Sequence, residues 1–78
     1  MKLSTEHIRA LQLLNDAGPR GATETLLAAH GFDVNLLIGL VRDGLATATP
    51  ETVRAGGRTV EVTRVRITGA GRDALDTG

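Results

Sequence analysis

Residues 36–75, LLIGLVRDGLATATPETVRAGGRTVEVTRVRITGAGRDAL, contain the change of hydrophobic period on which the fold depends. Leu36, Leu37, Leu40 and Val41 recur at helical spacing and predict the apolar set of a helix capped by Asp33 and closed by Gly44. From Ala46 the pattern alternates, as in strands. With Gly56-Gly57 as a two-residue hairpin turn, Arg54 falls near Thr59, Val53 opposite Val60, Ala48 opposite Val65 and Ala46 opposite Ile67. Thr68 then caps a short closing helix, Arg72 to Leu75, and Leu75 returns to the core. Gly69 and Gly71 weaken its start by about 1 kcal/mol each relative to Ala.

This register has an internal conflict. It sends Thr63, Val65 and Ile67 inward and Arg64 and Arg66 outward, yet Val60 and Val62 share the parity of the arginines. Either a bulge near Pro50 or Thr63 restores the face, or the hairpin tip presents its valines to a partner.

Upstream of this stretch, Ser4 caps a first helix with Glu6 in its first turn, where a negative charge suits the helix dipole. Ile8, Leu11 and Leu14 form its stripe, widened by Ala10, Leu13 and Ala17. Gly18 and Pro19 end it. Thr23 caps a shorter helix through Glu24, Leu26, Leu27 and His30, and Gly31 supplies the left-handed residue of the turn that follows. The expected architecture is one α+β domain over residues 1–78, mostly α. It has a three-helix core, a two-stranded hairpin and a short C-terminal helix.

A chain of 78 residues buries a smaller share of its surface than larger domains do, so its stability margin is narrow. Phe32 is the only aromatic residue and much of the apolar content is Ala, which leaves the core to Leu, Val and Ile. A partner subunit, most simply a homodimer, fits that composition. There is no Cys, hence no disulfide framework and no thiolate metal site. Glu6 and His7 interrupt any signal-peptide run, and no segment approaches the length of a membrane span. These features suggest a cytoplasmic protein that does not engage a membrane.

Nine basic and nine acidic residues cancel to a formal charge of zero, which argues against strong non-specific attraction to phosphates. The distribution is uneven. Between Ala46 and Thr68 four arginines (Arg54, Arg58, Arg64, Arg66) face two glutamates (Glu51, Glu61). In a hairpin lying along a DNA backbone, Arg54 and Arg58 beside the turn would reach phosphates. The plainer reading is that arginines on a sheet's outer face keep its edge soluble and unpaired. On the preceding helix only Asn35 and Arg42 suit base edges, whereas Ile38 faces outward as a protein contact or, at most, a thymine-methyl contact.

Other chemistry finds little support. Gly69-Ala70-Gly71-Arg72-Asp73-Ala74 has the glycine spacing of a dinucleotide fingerprint, but it lacks the βαβ unit and the downstream acidic residue that hold the ligand. His7 and His30 lie on different helices with no third ligand at a telling spacing. Ser4, the single serine, is explained by capping, and no carboxylate pair or activated nucleophile stands out. The expectation is no enzyme activity, no metal, no cofactor and no small-molecule substrate.

Leu40-Val41-Arg42-Asp43-Gly44-Leu45, Ala55-Gly56-Gly57-Arg58 and Val65-Arg66-Ile67-Thr68 leading to Ala70-Gly71-Arg72 occur in an order that resembles the winged helix-turn-helix domains of bacterial transcription regulators, most nearly the MarR type. The resemblance covers roughly Ile8 to Leu75. It implies a recognition helix and a wing, and with them regulation of transcription through double-stranded DNA. It also has departures. From Gly31 to Gly44 the chain is about one helical turn shorter than in that family, and the missing turn carries base-contacting residues. Leu27 stands where the family has a small residue, and the family's long dimerisation helices have no counterpart among these residues. Two functions follow as expectations. In the first, a winged-helix regulator or accessory factor contacts DNA through Arg54, Arg58, Arg64 and Arg66 on the wing, with Asn35 and Arg42 toward the groove. In the second, a winged-helix interaction module uses Ile38, Val60 and Val62 to bind a protein and never touches DNA.

Overall fold

The computed structural model describes residues 4–77. Helix α1 spans Thr5–Asp16, followed by a single 3-10 turn, Gly18–Arg20. Strand β1 is Ala22–Thr23, α2 is Glu24–Ala29 and α3 is Val34–Arg42. The long strands β2, Ala46–Ala55, and β3, Arg58–Ile67, precede the last helix, α4, Gly69–Thr77. Helices and an antiparallel sheet together make an α+β domain. None of its helices is long and apolar enough to cross a membrane among the described residues.

The helix starts follow local chemistry. The side chains of Ser4, Thr23 and Asp33 accept the backbone N–H of His7, Leu26 and Asn35, respectively, which satisfies donors that have no partner inside a helix. Gly31 and Gly44 take positive φ, 88° and 75°, where the chain leaves α2 and α3. Thr68 does two things with one hydroxyl. It donates to the Gly44 carbonyl at 2.6 Å and accepts the Gly71 N–H at 3.1 Å, so the end of α3 is tied to the start of α4.

The sheet corrects the expectation of a two-stranded hairpin. It has three strands in the order β1-β3-β2, because Ala22 and Thr23 pair with Val65 and Arg64 on the free edge of β3. The β2–β3 ladder runs without interruption from Ala46↔Ile67 to Ala55↔Arg58. No bulge is present. Gly56 and Gly57 both have positive φ, 59° and 78°, as the twist of a tight hairpin turn requires.

The core comprises Leu11, Leu14, Leu27, Phe32, Leu37, Leu40, Leu45, Val65 and Ile67, with Ala10, Ala22 and Ala46. It sits between the helices and the root of the hairpin. Val41, expected in the core, is 38% exposed, and Ala17 is also exposed. Two glycines admit close backbone approach. A Cβ on Gly21 would lie 2.0 Å from the Val65 carbonyl oxygen, and one on Gly71 would lie 2.2 Å from that of Leu45.

Beyond the core the hairpin continues as a two-stranded arm, which gives the molecule principal extents of 44 × 21 × 20 Å. Residues 51–62 are exposed or half-buried throughout. Since the arm outruns the helices, its apolar residues need not lie on the face that is buried at its root, and the expected bulge has no packing to serve.

Candidate functional site

Helix α3 is apolar nearly all round. Leu37 and Leu40 are buried in the core, while Val34 and Ile38 are 50% exposed and Val41 is 38% exposed. Spacings of four and three residues put Val34, Ile38 and Val41 on one face of the helix. That face forms one wall of an open groove of about 280 Å³, and Ala48, Thr63 and Val65 of the hairpin root form the other. Leu37 lies in the groove as well, and Glu24 and Arg42 are its charged lining residues. A concave apolar surface with charge confined to a few positions is suited to apolar side chains rather than to phosphates.

The hairpin's arginines divide into two pairs. Arg64 and Arg66 converge on one carboxylate: Arg64 Nε donates to Glu51 Oε2 at 2.9 Å and Arg66 Nη2 donates to the same oxygen at 3.2 Å. Their remaining donors reach back to the 3-10 turn, Arg64 Nη1 to the Arg20 carbonyl at 3.3 Å and Arg66 Nε to the Pro19 carbonyl at 3.2 Å. The hydrogen bond from Arg64 is the main cause that holds the Glu51 carboxyl below its usual range. Loss of water contact opposes it, and the charge of Arg64 and the hydrogen bond and charge of Arg66 add to it. These two guanidinium groups fasten the arm to the body of the domain.

The side chains of Arg54 and Arg58 make no hydrogen bond or ion pair among the described residues. Cross-strand partners share a face and neighbours along a strand alternate. By the observed register, Arg54 therefore belongs to the face that carries Ala48 and Val65, and Arg58 to the opposite face with Val53, Val60 and Val62. The two residues expected to act together on a phosphate backbone are on opposite sides of the ribbon. Asn35 is exposed in the first turn of α3, and Arg42 ends that helix at the groove.

The sequence-derived interaction set is likewise divided. Ile38 stands in the α3 groove, while Val60 and Val62 lie on the arm's other face, next to Val53. Val34 and Val41 were missed as site residues. Their spacing with Ile38 was a visible signal, a second apolar stripe on a helix that already had one. His7 and His30 do not meet: His7 packs near Gly39 and contacts Ser4, while His30 caps α2 and lines a shallow polar hollow with Arg9 and Asp16. No protein-family model matches this chain, and no curated protein or solved structure matches it either.

Proposed function

We propose that this chain is a winged-helix-like interaction module whose working surface is the groove between α3 and the hairpin root, and that it docks apolar side chains of a protein. One observation carries the reading: Val34, Ile38 and Val41 leave their exposed sides in a single groove, at the position where the resemblance calls for a polar reading helix. Arg64 and Arg66, half of the hairpin's positive charge, are engaged by Glu51 and backbone carbonyls, so they add little to a phosphate-binding field. A photo-crosslinker in place of Ile38, in cells that make the protein, is expected to give a discrete protein adduct that Val34→Asp abolishes. No adduct from this position, with the same probe at exposed Arg9 as the comparison, would end the reading.

A second reading, DNA contact by a small regulator, is favoured by Arg42 at the groove and Arg54 on the same side of the hairpin, both exposed and without a partner among the described residues. It requires affinity for random duplex DNA that falls steeply between low and near-physiological salt, since phosphate contacts release counterions. It also requires loss of that affinity in Arg42→Ala with Arg54→Ala. An absence of binding at low salt would remove it.

A further inference from the structure

We propose that the occupant of the α3 groove is the hairpin arm of a second copy of this chain, exchanged reciprocally so that each copy's arm lies in the other's groove. The proposal rests on the docking reading above and names its partner. The arm is amphipathic. Val53 pairs directly with Val60, and Val62 follows on the same face with Ala55 between the charged ends Glu51 and Arg58, whereas the other face carries Thr52, Arg54, Thr59 and Glu61. Val60 is 41% exposed. A two-stranded ribbon standing alone in water is marginally stable, and an apolar face needs a cover. Within one chain the valine face and the α3 groove are on opposite sides of the sheet, so the arm cannot cover its own groove. A second copy supplies each with the other.

The size fits a modest association with this occupant. The valine face of the arm offers six residues, 51, 53, 55, 58, 60 and 62, and the groove nine others. Together these make about fifteen per chain, the size of a small interface of modest affinity. An exchange about a two-fold axis makes every contact twice and closes on itself, leaving no open end for further addition. Arg58 lies on the valine face at the arm's tip, Glu24 lines the groove, and neither has an ion-pair partner among the described residues. The groove also carries Arg42, so the exchange requires the arm to seat with Arg58 toward Glu24 and away from Arg42.

The test is the mass of the purified chain in solution, by sedimentation over a range of concentrations up to about 0.1 mM, where complexes of even modest affinity are populated. The chain is expected at twice its 8.1 kDa. Ile38→Asp, which spoils the groove, and Val60→Asp, which spoils the arm, should each weaken dimerisation more than about tenfold, the loss typical of a central contact. Both positions are exposed, so folding is retained and is checked by circular dichroism. The mixture of the two variants is the deciding sample. One arm–groove contact in the mixed dimer is intact, so mixing restores association that neither variant shows alone. A groove-to-groove or arm-to-arm dimer gives no such rescue and would overturn the proposal. Arg58→Glu and Glu24→Arg should each weaken the dimer, and the double variant should recover it. A monomeric mass at every concentration would also overturn the exchange. If the Ile38 crosslinker still captures a different protein, the docking reading survives that result, and if it captures nothing, both fall.

Discussion

Gly69 and Gly71 stand two residues apart in the first turn of α4, and replacing each with alanine should move stability in opposite directions. Helix propensity alone favours both substitutions by up to about 1 kcal/mol, since glycine is the poorer helix former by that amount. At Gly69 nothing lies within 4 Å of a new Cβ, so Gly69→Ala is expected to raise stability, by less than the full propensity difference because the position is terminal. At Gly71 the same methyl would fall 2.2 Å from the Leu45 carbonyl oxygen and 2.7 Å from Ile67 Cγ1. Ile67 can adjust its rotamer, but the Leu45 carbonyl is held by the Thr68 N–H at 3.1 Å and cannot withdraw without disturbing the root of the hairpin. Overpacking of this kind costs about 1–3 kcal/mol and more where backbone must move. The clash outweighs the propensity gain, for a net loss of about 1–2 kcal/mol. In a domain this small each kcal/mol shifts the thermal midpoint by about 4–8 °C. Urea and thermal unfolding followed by circular dichroism read both changes. A Gly71→Ala protein as stable as the parent, or two variants that shift in the same direction, would refute the claim that α4 is seated by close backbone approach.

Two further predictions concern the joints of the fold. Thr68→Val keeps the shape of the side chain and removes a hydroxyl that both caps α4 and bonds the Gly44 carbonyl. With about 1 kcal/mol for the cap and about 1 kcal/mol for the second bond, the loss should approach about 2 kcal/mol in urea unfolding. Thr68→Ser should recover most of it, and a serine variant as weak as the valine one would refute the dual role. Glu51→Gln should destabilise the domain at neutral pH, because the folded-state pKa of Glu51 is lowered by its arginine partners. That contribution is fully present above the unfolded-state pKa and is lost as pH falls through the depressed folded one. The stability gap between parent and variant should therefore close in acid, and a gap that stays constant down to that range would contradict the assignment.

What was legible in the sequence was local. Ser4, Thr23, Asp33 and Thr68 each cap a helix with an N–H two or three residues away, and a residue that satisfies its neighbour can be recognised without the rest of the chain. The hairpin register was equally accessible, since Gly56-Gly57 fixes the turn and the turn fixes every pair behind it. Strand β1 was not, because two residues, Ala22 and Thr23, show no period and become a strand only through the free edge of β3. The 3-10 turn at Gly18–Arg20 is closed locally, by the Gly21 N–H on the Gly18 carbonyl at 3.1 Å, but a single turn is too short to show a period. The tasks of Arg64 and Arg66 depend on carbonyls more than forty positions earlier in the chain, a distance over which spacing carries no information. Val41 marks the limit of periodicity on an apolar helix. When α3 offers two stripes, packing against α1 and the sheet decides which one is buried.

The separation of the arginines bears on how the arm works. Two of them secure the arm, since Arg64 and Arg66 bind one carboxylate from β2 and two carbonyls of the 3-10 turn, and this joins both strands to the helical body at the point where the core ends. A ribbon anchored there on both strands extends in a set direction, and a surface already held in its binding geometry loses less freedom when it docks. The same anchor means that two of the four arginines in this stretch are already engaged within the chain. Counting four arginines treats them alike, whereas position along the ladder distinguishes those at the root, where backbone carbonyls are within reach, from those at the tip, where only solvent or another molecule can meet them. Arg54 and Arg58, near the tip, have no side-chain partner among the described residues, and of the two it is Arg58 that shares the face of Val53, Val60 and Val62.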